Sequence, residues 1–379
     1  ARQMKPYIRE LSRHAPYYIS IYPNAGIPDS FGHYDDSPES MAMEISELVN
    51  DGIVNIVGGC CGTTDKYISE LVNVVEGKEP HVPRSVCKHL QLSGLDKLEL
   101  TSEVKFINVG ERCNVSGSRK FLRLIKEQKY DEALSIARKQ VADGALVIDV
   151  NMDDALLDSA EEMTTFLNLI ATEPDIAKVP IMIDSSNWDV IKAGLKCVQG
   201  KCIVNSISLK EGEAKFISRA KDIKKYGAAV IVMCFDEQGQ ATNYKRKIDI
   251  ASRAYRLLID KVGMSPCDII FDPNVLTIGT GMEEHDNYAV DFINGISNLS
   301  FSFRGNNYIR EAMHAVFLYH AIKNGLDLGI LNPATSVTYS DIPQEHVNIL
   351  EDVILNRCAG AADKLIALAE EISAEKTLK

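Results

Sequence analysis

The chain has 379 residues, 45% hydrophobic and 25% charged, with a formal net charge of −12. That apolar fraction excludes a disordered chain, no apolar run reaches the ~20 residues of a membrane span, and 53 acidic against 41 basic residues exclude general binding to nucleic-acid phosphates. Nine scattered cysteines and a polar start (Ala1 to Glu10) without signal-peptide character lead us to expect a cytoplasmic α/β protein.

At this length two domains are expected, or one barrel of ~250 residues with about 130 left over. In chain order, residues 17–22 read as a strand and 37–49 as a helix. A second strand over 53–57 runs into Gly58-Gly-Cys-Cys-Gly62, followed by a helix over 64–75. Two β/α units cannot close a sheet or cover their own apolar faces, so this stretch reads as the end of a larger domain. Residues 78–102, with Pro80 and Pro83 among scattered polar residues, read as a linker.

From Phe106 onward, apolar strands alternate with amphipathic helices eight times. The predicted strands are 106–111, 145–151, 180–184, 201–205, 228–235, 268–272, 296–301 and 327–331. Most are continuous apolar runs, as parallel strands buried on both faces require. Between them lie helical faces such as Phe216, Ala220 and Ile223, which stops at Gly227, and Ala251, Tyr255, Leu258 and Val262, which stops at Gly263. Eight such units predict a (β/α)8 barrel, and no G-x-G-x-x-G follows any strand. The crossover between the sixth and seventh strands, Glu283 to Ile293, is barely long enough.

In such a barrel the strand ends carry the chemistry, and here they are polar: Glu111, Asp149 with Asn151, Asp184, Asn205, Asp272 and Asn298. Helix capping explains any one of them. Six together predict a pocket whose carboxylates and carboxamides suit a neutral, donor-rich heterocycle. Cys113 reads as a packed small residue and His285 as a solvated loop residue. Ser116-Gly-Ser-Arg119 after the first strand, with Arg304 and Arg310 after the seventh, would meet an anionic tail. Cys60 and Cys61 are two candidate zinc thiolates, while a catalytic zinc site needs three protein ligands; two buried thiols beside a glycine turn are the plainer reading.

These residues carry a resemblance. Tyr22-Pro-Asn-Ala-Gly26, Val57-Gly-Gly-Cys-Cys-Gly-Thr63, Asn108-Val-Gly-Glu-Arg-Cys-Asn114, Asp149-Val-Asn-Met-Asp-Asp154, Asn205-Ser-Ile-Ser-Leu-Lys-Glu211, Phe235-Asp-Glu-Gln-Gly-Gln240 and Phe301-Ser-Phe-Arg-Gly305 resemble the cobalamin-dependent methionine synthases. The resemblance implies a pterin-binding (β/α)8 TIM barrel over 104–379. It is preceded by a linker over 81–103 and, over 1–80, by the last two β/α units of a homocysteine-binding barrel. It also implies methyl transfer from 5-methyltetrahydrofolate to cob(I)alamin and on to homocysteine, giving methionine and tetrahydrofolate. Asp184, Asn205 and Asp272 would hold the pterin edge, with Asn298 beside N5, so that Asn298 and Asp272 are the expected catalytic pair. Gly117, Ser118, Arg119, Arg304 and Arg310 would contact the folate, and Glu111, Asp149 and Asn151 would support the pocket. Cys60 and Cys61 would be two of three zinc ligands, with the third and the cobalamin domain outside this chain; such a piece is expected to bind folate without turning over alone. The family carries a longer segment between Phe292 and Ser297, which leaves the position of Asn298 open. A methyltransferase serving a separate corrinoid protein and a dihydropteroate synthase are the nearest enzyme alternatives, and a non-catalytic folate-binding domain is a third.

Overall fold

The computed structural model describes residues 2–83, 89–274, 278, 296–335 and 337–377. Ala1–Cys87 and Lys88–Lys379 form two compact units. The predicted short sixth crossover and His285 lie outside the described residues.

The first unit holds α1 (Lys5–His14), β1 (Ser20–Ile21), α2 (Pro38–Asn50), β2 (Ile56–Val57) and α3 (Asp65–Val75). β1 and β2 pair in parallel. Both predicted helices form within a residue of their expected starts, and Ser37 caps α2 by accepting from the Ser40 N–H at 3.2 Å. α1 was not expected, because its buried face is only Lys5, Ile8 and Ser12. What fixes it is charge: Lys5 Nζ pairs with Glu44 at 2.5 Å and Glu47 at 2.9 Å on α2. Ile8, Ile21, Met41, Ile45, Leu48 and Leu71 form the core of this unit. Tyr17, Tyr18, Tyr22 and Ile56 are exposed, as two β/α units alone would leave them.

The second unit opens with a hairpin, β3 (Gln91–Ser93) and β4 (Lys97–Glu99), inside the stretch read as linker. Its edge is stitched to the barrel. Leu95 N–H donates to Ala177 O at 2.9 Å, Asp96 N–H to Lys178 O at 3.0 Å, and Ser93 exchanges bonds of 3.1 and 3.0 Å with Lys201. Prolines and polar residues hid a segment whose two leucines, Leu90 and Leu92, enter the barrel interior with Ile107, Val147, Met182 and Ile203.

Then come β5 (Ile107–Asn114), α4 (Arg119–Lys126), α5 (Tyr130–Ala142), β6 (Val147–Asn151), α6 (Ser159–Ala171), α7 (Pro174–Ala177), β7 (Ile181–Asp184), α8 (Trp188–Leu195), β8 (Ile203–Ile207) and α9 (Glu213–Tyr226). β9 (Ala229–Met233) leads to a small hairpin, β10 (Phe235–Asp236) and β11 (Gly239–Gln240), then α10 (Tyr244–Arg256), which a π-helical turn extends to Val262, and β12 (Ile269–Asp272). α11 (Ile296–Leu299), α12 (Asn307–Lys323), β13 (Leu328–Leu331), α13 (Gln344–Ile354) and α14 (Ala361–Thr377) complete it. α9 ends as its apolar pattern predicts, at Gly227 with φ 72°, a left-handed position that glycine takes without strain.

Among the described residues the main sheet has seven strands in the order β12-β9-β8-β7-β6-β5-β13. Every neighbouring pair is parallel. The first strand, β5, is hydrogen-bonded to the last, β13, as in a TIM barrel, while β12 and β13 are the edges of this curled sheet among the described residues. One expectation fails: residues 296–301 are not a strand. Ile296–Leu299 is a helical turn, followed by a 3-10 turn over Phe301–Phe303. Polar residues at 297, 298 and 300 interrupt the apolar run that a buried strand needs. Helices α4–α10 pack outside the sheet around Phe121, Phe166 and Phe216, whereas α11–α14 form a separate cluster around Leu299, Ile309, Val316 and Leu350. No helix among the described residues is long and apolar enough to cross a membrane.

Candidate active site

The barrel holds a cavity of about 920 Å³ at the C-terminal ends of its strands. Of the residues expected at the folate site, Glu111, Gly117, Arg119, Asp149, Asp184, Asn205, Asp272, Asn298, Arg304 and Arg310 line it. Ser118 and Asn151 sit behind the wall. The Ser118 hydroxyl caps α4, accepting from the Phe121 N–H at 3.3 Å. Asn151 Oδ1 accepts from the Asp153 N–H at 2.9 Å, and its side chain hydrogen-bonds Asp184.

A bulge sets the first wall. The register of β5 against β6 shifts between Gly110 and Cys113. Buried Gln140 holds the shift in place: its Oε1 accepts from the Arg112 N–H at 2.7 Å and its Nε2 donates to Cys113 Sγ at 3.3 Å. A Cβ on Gly110 would lie 2.7 Å from that Oε1, so only glycine admits the amide. Bulges of this kind re-aim the side chains beyond them. Here they turn Glu111 and Asn114 toward the cavity. Cys113 is packed, as expected, and its thiol is pushed far up by burial.

Asn114 joins three elements and was absent from the predicted site. Its Oδ1 accepts from the N–H groups of Ser116 at 2.9 Å and Gly117 at 3.1 Å. Its Nδ2 faces Asp149 Oδ2 and Asp184 Oδ2, each at 3.4 Å. One neutral amide thus spans two carboxyl groups that would otherwise repel. Asp153 ties the next loop down, accepting from Ser185 Oγ at 2.6 Å and from Ser186 N–H and Oγ at 2.7 and 2.8 Å.

Burial decides the protonation of these acids. It raises Asp149 well above the usual carboxylate range, with the Asp184 charge adding to the shift. It raises Asp184 to about 7, against the hydrogen bond from Asn151. Asp272 is raised by burial too, opposed by the Asn274 N–H at 2.6 Å and the nearby Lys247 charge. Buried acids held partly protonated are a mark of functional sites. Asp149 Oδ1 is buried without a partner among the described residues.

The lining also carries arginines. Arg304 lies over the Phe301 ring, 4.4 Å from its centroid, and Arg310 donates from Nε to Ser300 Oγ at 3.1 Å. The cavity is therefore lined by carboxyl and carboxamide groups, most of them at strand ends, and by arginines from loops and helix starts. A planar, donor-rich, uncharged group suits the first, and an anion suits the second.

In the first unit, Cys60 and Cys61 are both exposed thiols, not the buried pair of the plainer reading. Their sulfurs are 3.9 Å apart, close to the ~3.8 Å that ~2.3 Å Zn–S bonds impose in a tetrahedron. The loop is placed by the chain after β1. Cys60 N–H donates to Pro23 O at 2.9 Å and Cys61 N–H to Asn24 Oδ1 at 3.1 Å, which explains why both motifs occur together. Among the described residues no group of three or more His, Cys, Asp or Glu side chains could hold a metal.

Two sequence families match this chain. Residues 110–332, more than half of it, match the family described as pterin binding enzyme. Residues 1–75 match homocysteine S-methyltransferase, and the two together are the pairing found in methionine synthase. Among solved structures, dihydropteroate synthase from Yersinia pestis is similar at 15% identity, covering 72% of this chain and 100% of its own, with a TM-score of 0.43. The enzymes from Stenotrophomonas maltophilia (17% identity, 69% and 97% covered, TM-score 0.46) and Xanthomonas albilineans (13%, 70% and 98%, TM-score 0.47) are similar to the same extent.

Proposed function

The chain belongs to the pterin-binding enzyme family, and we propose that its barrel cavity binds 5-methyltetrahydrofolate and gives up the N5 methyl group to cob(I)alamin. The corrinoid is carried by a domain outside these residues, and homocysteine is the final acceptor. The observation that carries this reading is a single cavity lined both by carboxyl and carboxamide groups at strand ends and by Arg119, Arg304 and Arg310. The match of residues 1–75 to homocysteine S-methyltransferase supports methyl transfer rather than the dihydropteroate synthase alternative.

Asp184, Asn205 and Asp272 take the amino-pyrimidine edge of the pterin, where an ionised carboxylate accepts two N–H bonds side by side. Arg119, Arg304 and Arg310, with Gly117 beside them and Ser118 capping α4, hold the anionic tail. Glu111, Asp149 and Asn151 support the pterin side. The chemical difficulty is the leaving group, because breaking the methyl C–N5 bond of this tertiary amine leaves the bonding pair and a negative charge on N5. Asn298 meets it by hydrogen-bonding N5, and that bond strengthens as charge develops while solvent supplies the proton. Cob(I)alamin supplies the nucleophile. Cys60 and Cys61 fit two of the three thiolate positions of a zinc ion, which would favour the thiolate form of homocysteine at neutral pH.

Titration calorimetry with 5-methyltetrahydrofolate tests the binding step. Micromolar-range affinity is expected for the unsubstituted chain and none for Asp184→Ala; a chain that binds no folate overturns the reading. Adding cob(I)alamin to the bound complex and following its absorbance separates a methyl donor from a binding domain.

A further inference from the structure

The arginines of this protein fall into two kinds. Arg246 pairs with Asp236 at 2.5 Å, and Arg253 is forked onto Glu237 with both bonds at 2.9 Å. Their charges are answered within the fold. Among the described residues no carboxylate pairs with Arg310; its Nε is held instead by Ser300 Oγ at 3.1 Å. That oxygen lies 2.8 Å from His314 Nε2. Arg310 and His314 are four residues apart on α12, so both side chains rise from one face and reach the same hydroxyl.

The direction of these bonds follows from donor counting. Ser300 is fully buried, so its hydroxyl hydrogen needs an acceptor within the protein. A guanidinium offers donors only, so Ser300 accepts from Arg310 and donates to His314. That arrangement requires Nε2 to be unprotonated. Burial and the Arg310 charge lower the His314 ring to about 4, which keeps it a neutral acceptor at physiological pH.

We propose that Ser300 and His314 are positioning residues: they fix the Arg310 guanidinium through Nε and leave its two terminal amino groups to grip a carboxylate of the ligand tail. A neutral anchor orients the arginine without neutralising it, whereas an aspartate in the same place would compete with the ligand. The parallel fork left over matches a carboxylate edge. The identity of that carboxylate as the folate tail rests on the function proposed above.

The test compares two ligands in each variant: 5-methyltetrahydrofolate, and a 5-methylated tetrahydropterin lacking the p-aminobenzoylglutamate tail. In the full chain, Ser300→Ala and His314→Leu should weaken folate binding about tenfold, the scale of one charge-assisted hydrogen bond, and leave the tail-less pterin unchanged. Ser300→Thr and His314→Gln, which keep a hydroxyl and an acceptor, should stay within about twofold of the parent. The ratio of the two affinities within one variant is the readout, so a loss of folded protein cancels. Equal weakening of both ligands, or no weakening in Ser300→Ala, overturns the relay while leaving the function standing. If the unsubstituted chain binds neither ligand, the proposed function fails and the relay falls with it.

Discussion

The two walls of the cavity are built on opposite plans. The acidic wall stands on β5–β8 and β12, where parallel pairing fixes the backbone up to Asn114, Asn151, Asp184 and Asn205, and its side chains share partners. The arginine wall stands on short turns and the start of α12; its side chains are anchored one at a time, Arg304 on a ring and Arg310 on a hydroxyl. A shared network should fail as a unit, and separate anchors should fail piecemeal.

The largest effect that would break this contrast is at Asn114. Asn114→Ala releases the Ser116–Gly117 turn and removes the amide between Asp149 and Asp184. Folate affinity, measured by calorimetry, should fall by about 30- to 100-fold, more than one hydrogen bond supplies. A loss below tenfold would mean that the acidic wall is not coupled.

The next sharpens it through pH. Asp184 is raised to about 7 in the fold from an unfolded value near 3.9. Between those values the folded state holds more protons than the unfolded state, so stability falls as pH rises through the window. Thermal unfolding should occur at higher temperature at pH 5.5 than at pH 8. Asp149→Asn, which removes the second buried acid, should raise the pH 8 midpoint by about 2–4 °C. Folate affinity should move the other way and tighten as pH rises past 7, because the carboxylate is the form that accepts the pterin N–H groups. Parallel changes in stability and affinity would contradict this account.

The smallest effect is expected on the other wall. Arg304→Ala should weaken folate binding only three- to fivefold, with the loss shrinking as salt is raised, because an exposed cation is readily screened. Double substitution with Ser300→Ala should multiply the two losses; a strong departure from that product would show the arginine wall to be a network after all.

The legibility of the sequence follows the same division. Asp184, Asn205 and Asp272 were readable because each closes an apolar run, and a buried parallel strand leaves little freedom in where its last residue points. Asn298 reached the cavity from a helical turn rather than the expected strand, so its presence was foreseen and its support was not. Asn114 escaped notice because it lies past a bulge, and the residue that makes the bulge, Gln140, is contributed by α5. Ser300 and His314 were invisible for a related reason: a serine inside a misread strand and a histidine on a helix have no meaning until α12 places them beside Arg310. The linker reading failed because a hairpin of three-residue strands has too few positions to display alternation, while its leucines matter only inside a barrel.

That hairpin has a consequence for the architecture. It packs where the strands begin, the end away from the polar cavity, and contributes Leu90 and Leu92 to the interior layer. Cohesion and chemistry are thereby assigned to opposite ends of one cylinder. The end that carries the buried acids in close quarters is thus not the end that the hairpin's leucines pack. A barrel trimmed back to residue 104 would lose the packing of Leu90 and Leu92 and the edge bonds to Ala177, Lys178 and Lys201, a stability reserve spent at the end that does no chemistry.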